Sequence, residues 1–181
     1  AVGSIVGQLA RIAGCRTIGL AGGPEKCAMI TADLGYDHAI DYRSADLRAA
    51  FADTCPRGID VYFDNVGGPI LNAALANLAH GGRVVICGAI SQYNATEAPS
   101  GPSNYWRLLM SRGTMTGFLV FDHAAAYPVA RQRLAGWVAD GLISAPETVV
   151  PGRIDDFHDV FLRLFSGDNV GKLILDIGTG G

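Results

Sequence analysis

Apolar residues in Ile5-Val6-Gly7-Gln8-Leu9-Ala10-Arg11-Ile12-Ala13 recur at intervals of three and four, the period of a helix, with Gly3 and Gly7 on one face and Gly14 as its stop. Residues 17–21 form a short apolar run bounded by Gly22-Gly23-Pro24, which predicts a buried strand, and Pro24 opens a helix through about Leu34, ended by Gly35. The same punctuation predicts a strand at 39–42, a helix opened by Ser44 and Asp46 and running to about Asp53, and a strand at 59–65. A helix from Pro69 through Leu78 follows, then an apolar strand at 84–87 halted by Gly88. Strands that are apolar nearly throughout, alternating with helices, argue for a parallel sheet covered on both faces. The expected fold is therefore α/β, a doubly wound, Rossmann-type sheet.

Beyond this the rhythm loosens. Residues 91–103 are a polar loop, followed by a helix around 105–111 and a strand around 114–120. A long helix over 124–140 is expected to send Val129, Leu134, Trp137 and Val138 to the core. After Gly141, residues 145–151 are extended, 155–165 helical and 173–177 strand-like. We expect residues 1–143 to be a dinucleotide-binding domain truncated at its N-terminus, and 144–181 a tail returning to a second domain.

Composition narrows the classes. A chain of 181 residues, 49% hydrophobic, can bury one substantial core. A net charge of -3 with scattered Lys and Arg offers no face for nucleic acid, and no apolar run is long enough to span a membrane. Residues 1–10 lack the features of a signal peptide, so a cytoplasmic setting is expected. Cys15, Cys27, Cys55 and Cys87 form no C-x-x-C pair and no zinc-ligand spacing with His38, His80, His123 or His158, so no metal is expected. Cys27, beside Lys26 at a helix start, could have a lowered pKa, although an inert thiol is the preferred reading.

The chain opens on Ala1-Val2-Gly3-Ser4-Ile5-Val6-Gly7, which reads as the back half of a glycine-rich dinucleotide turn whose preceding strand is absent. A helix N-terminus with unpaired N–H groups suits pyrophosphate, though small residues at this spacing also let a helix pack closely on a sheet. Where an NAD site places an acid, at the end of the second strand, the sequence has Gly22-Gly23-Pro24, with the cation of Lys26 just beyond. This favours NADP, unless Lys26 is simply a solvated helix residue.

Four segments carry a resemblance: the opening run through Gln8, Ala21-Gly22-Gly23-Pro24-Glu25-Lys26-Cys27, Tyr62-Phe63-Asp64-Asn65-Val66-Gly67-Gly68, and Cys87-Gly88-Ala89-Ile90-Ser91-Gln92-Tyr93-Asn94. In order, from Ala1 to about Ile177, the chain resembles the latter part of the zinc-independent medium-chain dehydrogenase/reductases that act on activated alkenes, the branch of prostaglandin reductases, leukotriene B4 12-hydroxydehydrogenases and curcumin reductases. The resemblance implies that Ala1, Val2, Gly3 and Ser4 cradle pyrophosphate, and that Lys26 and Tyr42 hold the adenosine 2′-phosphate. It implies that Asn65 and the loop Cys87, Gly88, Ala89, Ile90, Ser91 and Tyr93 line the nicotinamide side, with Phe118, Leu119 and Val120 nearby. Asn169 would close over the cofactor. For each, the alternative is a strand-end turn residue.

The function so implied is hydride transfer from NADPH to the double bond of an α,β-unsaturated ketone or aldehyde. Tyr93 is the catalytic candidate, donating a hydrogen bond to the developing enolate or to the nicotinamide ribose; the alternative is a tyrosine that packs its loop. His123 stands where the family pattern has a tyrosine, which changes the contacts expected from that loop. The alternatives are a quinone reductase of the same superfamily and an NADPH-binding module without catalysis. We further expect little turnover from this stretch by itself, and a homodimer pairing through the strand at 114–120.

Overall fold

A glycine sets how the first helix meets the rest. In the computed structural model, which describes residues 2–98, 100–166 and 169–178, α1 (Val2–Ile12) buries Gly7 and Gln8. A Cβ at Gly7 would run into the Tyr36 ring, so only glycine lets helix and ring approach this closely. The Tyr36 hydroxyl donates to the Gly3 carbonyl at 2.6 Å. Of the two glycines expected on one face, Gly7 therefore packs, whereas Gly3 faces open space.

β1 (Ile18–Ala21) pairs in parallel with β2 (His38–Asp41), setting Ala21 beside Asp41, and α2 (Pro24–Ala32) connects them. Asp46 caps α3 (Leu47–Thr54) by accepting from the Arg48 and Ala49 N–H groups. Ser44, expected to share that role, instead donates to Asp41. β3 (Ile59–Asp64), β4 (Leu78–Ile86) and β5 (Thr114–Gly117) form a parallel sheet in that order, with α4 (Gly68–Ala76) and α5 (Arg107–Ser111) as crossovers. Phe51, Leu75 and Val84 are almost fully buried in a core that joins β2, α3, β3, α4 and β4. The parallel sheets covered by helices on both sides give the doubly wound architecture expected from the alternation.

Several boundaries move for identifiable reasons. β4 begins at Leu78, where α4 was expected to end, because Leu78 already pairs with Ile59 across a register shift in β3. β5 stops at Gly117, and a 3₁₀ segment, Val120–Ala126, precedes α6 (Tyr127–Ala139), whose first turn holds Pro128. The long helix expected from residue 124 is thus two elements.

Its core assignment also needs correction. Leu134 and Trp137 are half-buried, but Val129 and Val138 are 62% and 48% exposed. At about 100° per residue these two valines lie on opposite sides of the helix, so one buried face cannot hold both. β6 (Glu147–Pro151) and β7 (Lys172–Asp176) pair in parallel with each other, connected through α7 (Phe157–Ser166). No described helix is long and apolar enough to cross a membrane.

Candidate functional site

Parallel strands bring their carboxyl ends to one edge of a sheet, and the loops that leave that edge collect side chains from distant parts of the chain. β1 delivers Gly22, β2 delivers Tyr42, β3 delivers Asn65, β4 delivers Cys87 and β5 delivers Phe118, each as the residue immediately after the strand. Four of these five were singled out in the sequence.

The turns after β3 and β4 are joined by backbone hydrogen bonds. Asp64 is 1% exposed, and its carboxylate accepts from the Val66 and Gly67 N–H groups, both at 2.9 Å. Its backbone carbonyl accepts from the N–H groups of Cys87 and Gly88, while the Asn65 carbonyl accepts from Ile90 and that of Val66 from Ser91. The Tyr62 hydroxyl lies 3.5 Å from the Asp64 carboxylate; burial first, and the Asp64 charge second, push its pKa upward.

Asn65 and residues 87–91 are thereby held together. The Tyr93 hydroxyl joins them, accepting from Ala89 N–H at 3.4 Å and lying 3.0 Å from where a Cβ at Gly88 would sit. Its own proton remains available for donation. Asp64 was not anticipated as a site-building residue; the signal was an Asp-Asn pair closing an apolar strand, a pattern that favours side-chain capping of the next turn.

Around Gly22 the structure brings the tail to α2. Lys26 Nζ donates to the Asn169 carbonyl at 3.1 Å, and the Asn169 amide donates to the Gly171 carbonyl at 3.0 Å. Two predicted residues far apart in sequence thus meet, although Asn169 makes this contact through its backbone. The Tyr42 hydroxyl lies 2.8 Å from a Cβ placed at Gly22. No acid follows β1, as expected, but register places Asp41 next to Ala21, and its carboxylate accepts from Gly23 N–H at 2.9 Å. That neighbour was invisible in the sequence, where the two residues belong to different strands.

At the start of α1, Val2 and Gly3 are exposed and Ser4 is half-buried; Ala1 lies outside the described residues. Gln8, 4% exposed, exchanges hydrogen bonds with the Ser144 backbone, accepting from its N–H at 2.7 Å and donating to its carbonyl at 2.8 Å. This ties the helix to the beginning of the tail. Cys27 does not have a lowered pKa: desolvation raises it, with the nearby Asp41 charge adding to the effect. Phe118 stacks on His123 with centroids 4.9 Å apart, and Leu119 and Val120 are exposed beside it.

The set suits a phosphorylated dinucleotide: a helix start for pyrophosphate, a tyrosine hydroxyl over a glycine with a lysine on the following helix at one end, and donor-bearing loops at the other. Among the described residues, no group of three or more His, Cys, Asp or Glu could hold a metal ion.

Comparison with known proteins fits this arrangement. The zinc-binding dehydrogenase family matches residues 1–135. The chain is 35% identical over 181 residues to the NADPH-dependent curcumin reductase of Escherichia coli, covering 97% of this chain and 52% of that protein. It is 40% identical over 176 residues to the NADP(+)-dependent 2-alkenal reductase of Nicotiana tabacum, covering 97% and 51%. It superposes on CurA of Vibrio vulnificus in complex with NADPH with a TM-score of 0.91 at 40% identity, covering 99% of this chain and 55% of that one. The chain spans about half the length of these relatives.

Proposed function

The chain belongs to the zinc-binding dehydrogenase family, and on that premise we propose that it is the cofactor-binding part of an NADP-dependent reductase acting on the carbon–carbon double bond of α,β-unsaturated ketones or aldehydes. The observation that carries this reading is the placement of Tyr42, Asn65, Cys87 and Phe118, each directly after a parallel strand, in a chain similar to enzymes named as NADPH-dependent curcumin and 2-alkenal reductases. NADPH supplies the hydride.

The protein's own residues orient and bind. Val2, Gly3 and Ser4 offer N–H groups to the pyrophosphate, and Lys26 and Tyr42 hold the adenosine 2′-phosphate. Asn65, the loop from Cys87 to Tyr93 and Phe118 to Val120 flank the nicotinamide, while Asn169 closes the cleft from the tail. Tyr93 donates to the substrate oxygen as negative charge develops there. We divide the chain at Ser144, a boundary supported by β6 and β7 pairing with each other. Pairing of two copies through β5, which is bonded to β4 on one side, would give a homodimer. A cytoplasmic setting agrees with four free cysteines.

The test is a fluorescence titration with NADPH and NADH, repeated on Lys26→Ala. Tighter binding of NADPH that falls about tenfold in the variant, with NADH unchanged, is the expected result. Equal affinity for both cofactors would sink the NADP assignment. A panel of enones and quinones, run on this stretch and on a protein carrying both domains, then tests the substrate class. Enone turnover is expected mainly from the latter, and reduction of quinones alone would move the assignment to the quinone branch.

A further inference from the structure

We propose that Arg43 is a specificity-determining residue for the cofactor, binding the adenosine 2′-phosphate together with Lys26 and Tyr42 at the strand end marked by Gly22. The inference rests on the NADP reading and adds to it a residue that neither motif nor spacing suggested. A Cβ placed at Gly22 would lie 2.8 Å from Arg43 Nε and 2.8 Å from the Tyr42 hydroxyl. The guanidinium and the phenol therefore converge on the strand end where an NAD site holds an acid for the ribose 2′-hydroxyl. Both residues are exposed, so a ligand can reach them.

The Asp41 carboxylate beside this spot is already engaged. Asp41 accepts from Gly23 N–H at 2.9 Å, from Arg43 N–H at 3.0 Å and from the Ser44 hydroxyl at 2.9 Å. These bonds hold its pKa below the usual carboxylate range, and the Arg43 charge contributes to the same shift. Asp41 thus acts as a turn-builder: it fixes the backbone of Gly23 and Arg43, and with them the start of α2 and the root of the arginine side chain. Both of its oxygens already accept hydrogen bonds from this chain, so the ribose 2′-hydroxyl of NAD would compete with them for this acceptor.

A planar guanidinium can present two N–H groups to a phosphate, whereas Lys26 offers a point charge. The two cations come from different elements, Lys26 from α2 and Arg43 from the loop after β2. Their joint charge also offsets that of Asp41, which would otherwise repel the phosphate. Gly22, having no side chain, leaves the room that the Arg43 and Tyr42 side chains take over the strand end.

The decisive experiment titrates the wild-type protein, Arg43→Ala, Arg43→Lys and Gly22→Asp with NADPH, NADH and adenosine 2′,5′-bisphosphate, with melting curves to establish that each variant is folded. Arg43→Ala should weaken NADPH and the bisphosphate about tenfold while NADH stays within about twofold. Arg43→Lys should recover part of the loss. Gly22→Asp, which sets a carboxylate against the guanidinium, should lower NADPH affinity further and bring the two cofactors close to parity. If Arg43→Ala binds NADPH and the bisphosphate as wild type does while Lys26→Ala does not, the Arg43 assignment is wrong and the NADP reading stands. If the wild-type protein itself does not prefer NADPH, both are overturned.

Discussion

The two ends of the site are built by different physics. Around Gly22 the working groups are the exposed side chains of Tyr42 and Arg43, which converge from the loop after β2, with the half-buried Lys26 on α2. Around Asn65 and Cys87 the geometry is set by backbone: the buried Asp64 carboxylate holds one turn, and main-chain hydrogen bonds join it to the next. Exposed charges interact weakly in water and can be exchanged with little effect on folding. Buried, fully bonded carboxylates cannot, because each removed acceptor strands a donor. One end is therefore open to changes of specificity, and the other to changes that also unfold the protein.

The largest test of that contrast is Asp64→Ala. It leaves the Val66 and Gly67 N–H groups without their acceptor in a site that is 1% exposed. A loss of about 2–4 kcal/mol in urea-unfolding free energy is expected. Lys26→Ala and Arg43→Ala should each stay within about 0.5 kcal/mol of wild type in the same assay. If all three were equally destabilising, the contrast between the ends would be wrong.

Tyr93→Phe comes next. In an enzyme carrying both domains, turnover of an enone should fall about tenfold or more, with stability and NADPH affinity nearly unchanged. If NADPH affinity falls instead and turnover at saturation holds, Tyr93 belongs to cofactor binding rather than to catalysis.

A smaller effect distinguishes the ends by screening. Raising ionic strength from about 0.05 to 0.5 M should weaken NADPH several-fold more than NADH, since the difference between the cofactors resides in exposed charges. The smallest effect concerns Asp41. Its carboxyl has a lower pKa in the folded protein than an ordinary aspartate, so the native state takes up its proton less readily than the unfolded chain. Its contribution to stability is fully present above the ordinary carboxylate range and is lost as pH falls through the depressed value. Asp41→Asn should flatten that part of the melting-temperature profile, measured from about pH 5 to about pH 2, by lowering the melting temperature at the neutral end and leaving the acid end nearly unchanged.

Much of this was legible in the chain. Apolar runs that stop at Gly22, Asn65 and Gly88 mark strand ends, because a buried parallel strand must be apolar and its exit must turn. The site residues follow from those ends, since each strand delivers the next residue to the same edge of its sheet. Helix starts were legible where proline or Asp46 announced them. The face of α6 was not, because its apolar residues are spread around the helix and its neighbours, not its period, decide which of them are covered.

What the sequence determined by itself is the order of elements, their approximate limits and the chemical types available at each strand end, all of them consequences of local periodicity and backbone chemistry. Tertiary structure alone decided which distant groups meet: Lys26 with the Asn169 carbonyl, Gln8 with the Ser144 backbone, and Tyr42 and Arg43 with Gly22. Such meetings depend on register and on where the tail returns to α1 and α2, and a residue's own neighbourhood in sequence holds no record of either.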